Sequence, residues 1–147
     1  MVEVIGVDHI YISVSDYQAS EKFYDTVMQV LDFRKQAFQL NDENHIQYYN
    51  RHFGYVIRPA HSNKQYDPYA PGLHHLCFRV ESENDVMQAA KALKDKKINI
   101  SEPKHYSEYA PDYFAFFFVD PDGLQLEVTN FRQERRERFE QWNREYL

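Results

Sequence analysis

Three residues of this sequence could share one divalent ion: His9, His75 and Glu127. They lie in VDHIYISV, GLHHLCFRV and FFFVDPDGLQLEV, stretches that alternate with the two-residue period of a β-strand. Each falls on the face opposite an aliphatic stripe: Ile10, Ile12 and Val14; Leu76, Phe78 and Val80; Leu124, Leu126 and Val128. If helices cover the stripes, all three side chains point into a common concavity. Two imidazoles and a carboxylate form a facial set that holds a metal and leaves positions open for water or substrate, as a catalytic site requires. Glu127 also stands in mid-strand, where carboxylates are disfavoured. Only one of the adjacent His74 and His75 can face the ion. The stripe selects His75 and sends His74 toward the core. His45, His52, His61 and His105 fall in or near predicted loops and read as solvated.

These residues need a frame. Asp120-Pro121-Asp122-Gly123 suits a type I turn between two β-prone runs, so Phe114–Thr129 reads as a hairpin. Upstream, Val7–Val14 is a strand, and Ser15 or Asp16 caps a helix to about Met28 with Ala19, Phe23 and Val27 on its buried side. Short strands follow over 33–40, 46–50 and 55–59, then a proline-rich linker over 59–72. The pattern then restarts: a strand over 73–80, a helix over 83–95 capped by Ser82 with Val86, Ala90 and Leu93 buried, and strands near 98–101, 113–119 and 124–129. His9 aligns with His75, Val14 with Val80, and Asp16 with Ser82. Gly54 aligns with Gly123, which sets Arg58 against Glu127. The expectation is an α+β fold of two repeated βαβββ modules forming a curved mixed sheet around a cup. The chain is one domain over 1–147, with modules at about 5–60 and 72–130. A helix over about 131–147 carries Phe131, Phe139, Trp142 and Tyr146, which would dock it on the body or supply a subunit contact.

Composition narrows the function classes. The net charge is −6 with no long basic run, which argues against nucleic acid and anionic membranes as partners. No apolar stretch approaches the ~20 residues needed to span a bilayer, and the first residues lack the features of a signal peptide. The single cysteine, Cys77, precludes an intrachain disulfide and fits a reducing, cytoplasmic location.

The segments VDHIYISVSDYQASEKFYDTVM, GLHHLCFRV and FFFVDPDGLQLEV resemble the vicinal oxygen chelate superfamily, which includes glyoxalase I, fosfomycin-resistance thiol transferases, extradiol dioxygenases and bleomycin-binding proteins. The resemblance covers about Val7–Asn130. It implies that His9, His75 and Glu127 bind a divalent metal (Zn, Mn, Ni, Co or Fe(II)) that chelates vicinal substrate oxygens. It also carries departures. Glyoxalase I has a second glutamate where this alignment sets Arg58, so glyoxalase I activity is not expected. Fosfomycin-type enzymes keep only His, His and Glu, and Arg136 lies near their phosphonate-binding arginine. Here, however, Tyr11, Tyr113, Ala115 and Phe117 replace much of the polar lining. Extradiol dioxygenases share the triad but mostly carry four modules rather than two.

The resulting expectation is a metal-dependent lyase, dioxygenase or thiol transferase acting on a small oxygenated substrate with an aromatic or apolar body. Tyr11 would donate a hydrogen bond or act as an acid, Tyr113 and Phe117 would wall the substrate, and Arg58 would bind an anionic group. The alternative is a metal-free pocket that sequesters a small molecule, with Arg58 pairing with Glu127. A homodimer is expected, since strand edges of such modules are usually covered by pairing.

Overall fold

Local signals fix the first helix. Asp16 accepts the Ala19 backbone N–H at 3.0 Å, satisfying one of the donors that a helix start leaves open. In the computed structural model, which describes residues 1–143, the order is β1 (His9–Val14), α1 (Tyr17–Val30), β2 (Arg34–Leu40), β3 (Glu43–Tyr49) and β4 (Gly54–Pro59). It repeats as β5 (His75–Val80), α2 (Glu83–Asp95), β6 (Lys104–His105), β7 (Phe114–Val119) and β8 (Gln125–Asn130), and α3 (Gln133–Gln141) follows. The strand orders are β1-β4-β3-β2 and β5-β8-β7-β6. In each sheet the first and last strands of the module pair in parallel and the remaining pairs are antiparallel. The predicted α+β pair of βαβββ modules is therefore present, each module closing its own four-stranded sheet.

The chain divides into two compact units: Met1–Asp67 with Asp120–Leu124, and Pro68–Val119 with the residues from Gln125 onward. In the first, α1 buries Ser20, Tyr24, Val27 and Met28. This stripe is rotated from the expected one: Ala19 is exposed and Phe23 half-buried. The Tyr24 hydroxyl explains the rotation. It lies 2.8 Å from the Tyr55 hydroxyl and donates to Asp120 Oδ2 at 2.7 Å, so a polar tip is satisfied inside an apolar layer. Asp120 also anchors its turn: its carbonyl accepts from Gly123 N–H, and Oδ1 accepts the N–H groups of Asp122 and Leu124, each at 2.9 Å. Gly123, at φ 86°, supplies the left-handed backbone that other residues resist.

In the second unit, Ser82 caps α2 by accepting the Asp85 N–H, and its own hydroxyl donates to Asp85 Oδ2 at 2.7 Å. The helix buries Val86, Ala89, Ala90 and Leu93. Phe116, Leu126 and Val128 of the sheet are fully buried in the same core.

Three expectations fail. The strand predicted over 98–101 is absent. Ser101 exchanges two hydrogen bonds with Phe117, but Pro103 has no N–H to extend the ladder, and pairing resumes only at Lys104–His105. The terminal helix is shorter and buries none of its residues, with Phe139 81% exposed; Phe131, just before it, is held by the Arg79 and Arg136 guanidinium groups over its ring. Tyr146 lies outside the described residues. The third concerns histidines. His45 sits on β3 with 1% exposure rather than in a solvated loop, and His74 is exposed rather than core-facing.

Candidate metal and substrate site

Glu127 is 2% exposed on the polar face of β8. Strand register places Cys77 of β5 opposite it on one side and Phe117 of β7 on the other. The Tyr113 hydroxyl donates to its Oε1 at 2.6 Å. The other oxygen, Oε2, stands 3.9 Å from His75 Nε2, too far for a hydrogen bond. With ligand bonds of about 2.1 Å, a facial or tetrahedral set holds its donors ~3.0–3.4 Å apart, so these two atoms would need to close by about half an ångström to share an ion.

The two repeat-related histidines are tethered alike, through Nδ1 to the preceding residue. His9 Nδ1 donates to Asp8 Oδ2 at 2.6 Å, since a carboxylate can only accept. His75 Nδ1 lies 2.8 Å from His74 Nδ1. With the shared proton on His75, its Nε2 keeps a lone pair, 3.9 Å from Glu127 Oε2. Such outer-shell partners orient metal-ligating imidazoles. The second unit thus holds two donors near each other, and within the first, His9 Nε2 makes no hydrogen bond to a described residue. As a set of three, no His, Cys, Asp or Glu side chains are already drawn together among the described residues.

Tyr11 follows His9 by two positions on β1, and its ring meets His9 edge-on at 5.6 Å and His45 at 5.9 Å. His45 Nδ1 bonds to the Glu43 carbonyl, and its buried Nε2 has no partner among the described residues.

Arg58 departs from its predicted place. On β4, Gly54 pairs with His9, Val56 with Tyr11 and Arg58 with Ser13; on β8, Gln125 pairs with His75 and Glu127 with Cys77. The residue equivalent to Glu127 is therefore Val56, and Arg58 matches Thr129. The alignment failed because the two glycines do different work. Gly123 turns the chain before β8, whereas Gly54 is itself the first residue of β4, where a Cβ would stand 2.7 Å from Gln47 Nε2. Within its unit Arg58 pairs with Glu43 and donates from Nε to the Pro59 carbonyl, and Glu43 is also bonded to His61. The His61 hydrogen bond leads in holding the Glu43 carboxyl below its ordinary value, with the Arg58 charge assisting. His61 is thus ion-paired, not merely solvated.

Sequence reasoning missed Cys77, Tyr106, Tyr109 and Arg132, which lie around Glu127 and Tyr113. Cys77 was legible by alternation, two residues after His75. Crowding around its sulfur, then the Glu127 charge, pushes its thiol well up even though the residue reaches solvent. Tyr113, likewise raised by desolvation and by its bond to Glu127, is joined by Tyr106 and Tyr109 in an aromatic wall: Tyr106 meets Phe117 edge-on at 5.4 Å and stacks on Tyr109 at 5.7 Å. Arg132, on the non-periodic link between β8 and α3, lies over the Tyr113 ring at 4.4 Å, and no spacing signal marks it. Arg136 spends its donors on the Phe131 carbonyl and on the carbonyl and carboxylate of Glu81.

This fold and this polar strand face define the class. The chain matches the family model of the glyoxalase/bleomycin resistance protein/dioxygenase superfamily over residues 6–128, and it belongs to that superfamily. It is 30% identical over 129 residues to the uncharacterized protein YwkD of Bacillus subtilis, covering 84% of this chain and 94% of that one. In structure it resembles a glyoxylase/bleomycin resistance protein/dioxygenase domain from Frankia sp. EAN1pec, with a TM-score of 0.71, 22% identity, and coverage of 88% of this chain and 100% of that one. The fosfomycin resistance protein FosX of Listeria monocytogenes shares the fold at a TM-score of 0.64 and 15% identity, over 91% of this chain and 99% of that one. Among the described residues, no helix is long and apolar enough to cross a membrane.

Proposed function

We propose that the protein is a metal-dependent enzyme acting on a small oxygenated substrate with an aromatic or apolar body. His75 and Glu127 would hold a divalent ion, with His9 as the third ligand. The observation that carries this reading is the shared tether: each repeat-related histidine spends Nδ1 on its predecessor and leaves Nε2 for a ligand. When bound, a divalent ion would polarise a substrate carbonyl or lower the pKa of a bound hydroxyl. Tyr113 would steady Glu127 and, with Phe117, flank the substrate body. Tyr11 would donate a hydrogen bond to a substrate oxygen. The chemistry of the donor set suits Zn, Mn, Ni, Co or Fe(II). Val56 in place of a second carboxylate disfavours a four-ligand, glyoxalase I-type site.

Metal analysis of protein purified without chelator or added metal tests the reading. Stoichiometric divalent metal, lost in His9→Ala, His75→Ala and Glu127→Ala with circular dichroism unchanged, is the expected result. Full occupancy in all three variants, or none in the wild type even after metal titration, leaves a small-molecule sequestering protein instead.

We also infer a homodimer. Strands β1 and β5 each form one edge of their sheets, and Val2, Val4, Ile5 and Val7 are exposed before β1. Light scattering at high micromolar concentration should give twice the chain mass; the chain mass alone would overturn this.

A further inference from the structure

Arg132 stands out within the second unit. Its side chain is only 12% exposed, its Nε is buried, and its guanidinium donates no hydrogen bond to any described residue. The nearest carboxylate oxygen, on Glu134, lies 3.5 Å from Nε, and that side chain is 52% exposed, so the pair is loose and screened by water. A charge with unused donors this far from solvent is costly unless something accepts from it.

The surroundings define what could. The Arg132 guanidinium lies over the face of Tyr113, whose hydroxyl holds Glu127, so the cation and the carboxylate are separated by one ring. Arg79 and Arg136 lie close by, both stacked on Phe131. Arg136 already has acceptors in Glu81 and Phe131. The local field is positive, and Arg132, the least exposed of these cations, lies over Tyr113 at the aromatic wall of Tyr106, Tyr109, Tyr113 and Phe117.

We propose that Arg132 is a specificity-determining residue that binds the carboxylate of an aromatic acid, whose ring lies against this tyrosine wall. The proposal deepens the reading of this face as a substrate site. A planar carboxylate matches the paired Nη donors of the guanidinium, since Nε is shut off from solvent and faces Glu134. The neighbouring Glu127 disfavours a doubly charged oxyanion such as a phosphate ester. The anionic group is thus recognised by Arg132 and not by Arg58, which is taken up by Glu43.

The test is calorimetric titration of the full chain with phenylacetate and with its neutral isostere phenylacetamide. Wild type should prefer the acid by about tenfold or more. Arg132→Gln should abolish that preference while leaving amide binding unchanged, and Arg132→Lys should retain part of it, having charge without the fork. Thermal melts identify a variant that fails to fold, in which case Arg132→Lys alone decides. Equal binding of acid and amide by wild type, or an undiminished preference in folded Arg132→Gln, overturns the proposal. The titrations are run on chelator-treated protein, because a bound divalent ion would itself ligate the carboxylate of the acid. Metal absent from untreated protein with the ratio intact therefore condemns only the metal reading, and metal present there with a ratio of one condemns only this inference.

Discussion

Tyr113 donates its hydroxyl proton to Glu127 Oε1 at 2.6 Å, and among the described residues it is the one phenol hydrogen-bonded to this buried carboxylate. Tyr113→Phe keeps the ring and removes the donor. It should destabilise the fold by about 1–3 kcal/mol, the usual penalty for leaving a buried acceptor unpaired. The check is urea unfolding, where the midpoint should fall without a change in slope. An unchanged midpoint would mean that another donor replaces the phenol.

Cys77 should react slowly for a thiol that reaches solvent. Its pKa is raised from an ordinary 9.0, chiefly by desolvation and then by Glu127. A raised folded pKa gives stability that is complete below the ordinary value and is lost as pH rises through the folded one. Iodoacetamide at pH 8 should label the native thiol several-fold more slowly than the urea-unfolded chain, and Glu127→Gln should speed native labelling. Equal native and unfolded rates would contradict the placement of Glu127 beside the sulfur.

The Glu43 carboxyl, lowered from 4.5 first by the His61 hydrogen bond and then by the Arg58 charge, titrates in the opposite sense. Its contribution is present above the ordinary value and is lost as pH falls through the lowered one. Thermal melts below pH 4.5 should therefore fall less steeply in Glu43→Gln than in wild type. Parallel profiles would show that the Arg58–Glu43–His61 cluster adds nothing to stability.

Tyr24→Phe removes the phenol that donates to the buried Asp120 Oδ2. A loss of about 1–3 kcal/mol by denaturant unfolding is expected. Tyr55→Phe should cost less, because Tyr24 would keep its bond to Asp120. The reverse ranking would refute this arrangement of donors.

The sequence by itself determined the repeat, the helix caps, the Asp120 turn and the strand faces bearing His9, His75 and Glu127. These are local consequences of periodicity and of side chains that bond to their own backbone neighbours. Asp16, Ser82 and Asp120 each act within four residues of themselves. Period-two alternation likewise assigns faces without reference to any other strand. Register is different, because it depends on which residues of two strands meet, and only the tertiary structure decided it. Aligning Gly54 with Gly123 set Arg58 against Glu127, whereas pairing with β1 gives that place to Val56. The neighbours of Glu127 are equally non-local. Tyr113 reaches it from a loop, and Arg132 reaches Tyr113 from a non-periodic link, where no spacing rule says which way a side chain turns. Burial of His45 and exposure of Phe139 follow from which surfaces other elements cover. Hydrophobicity favours burial but cannot name the element that provides it.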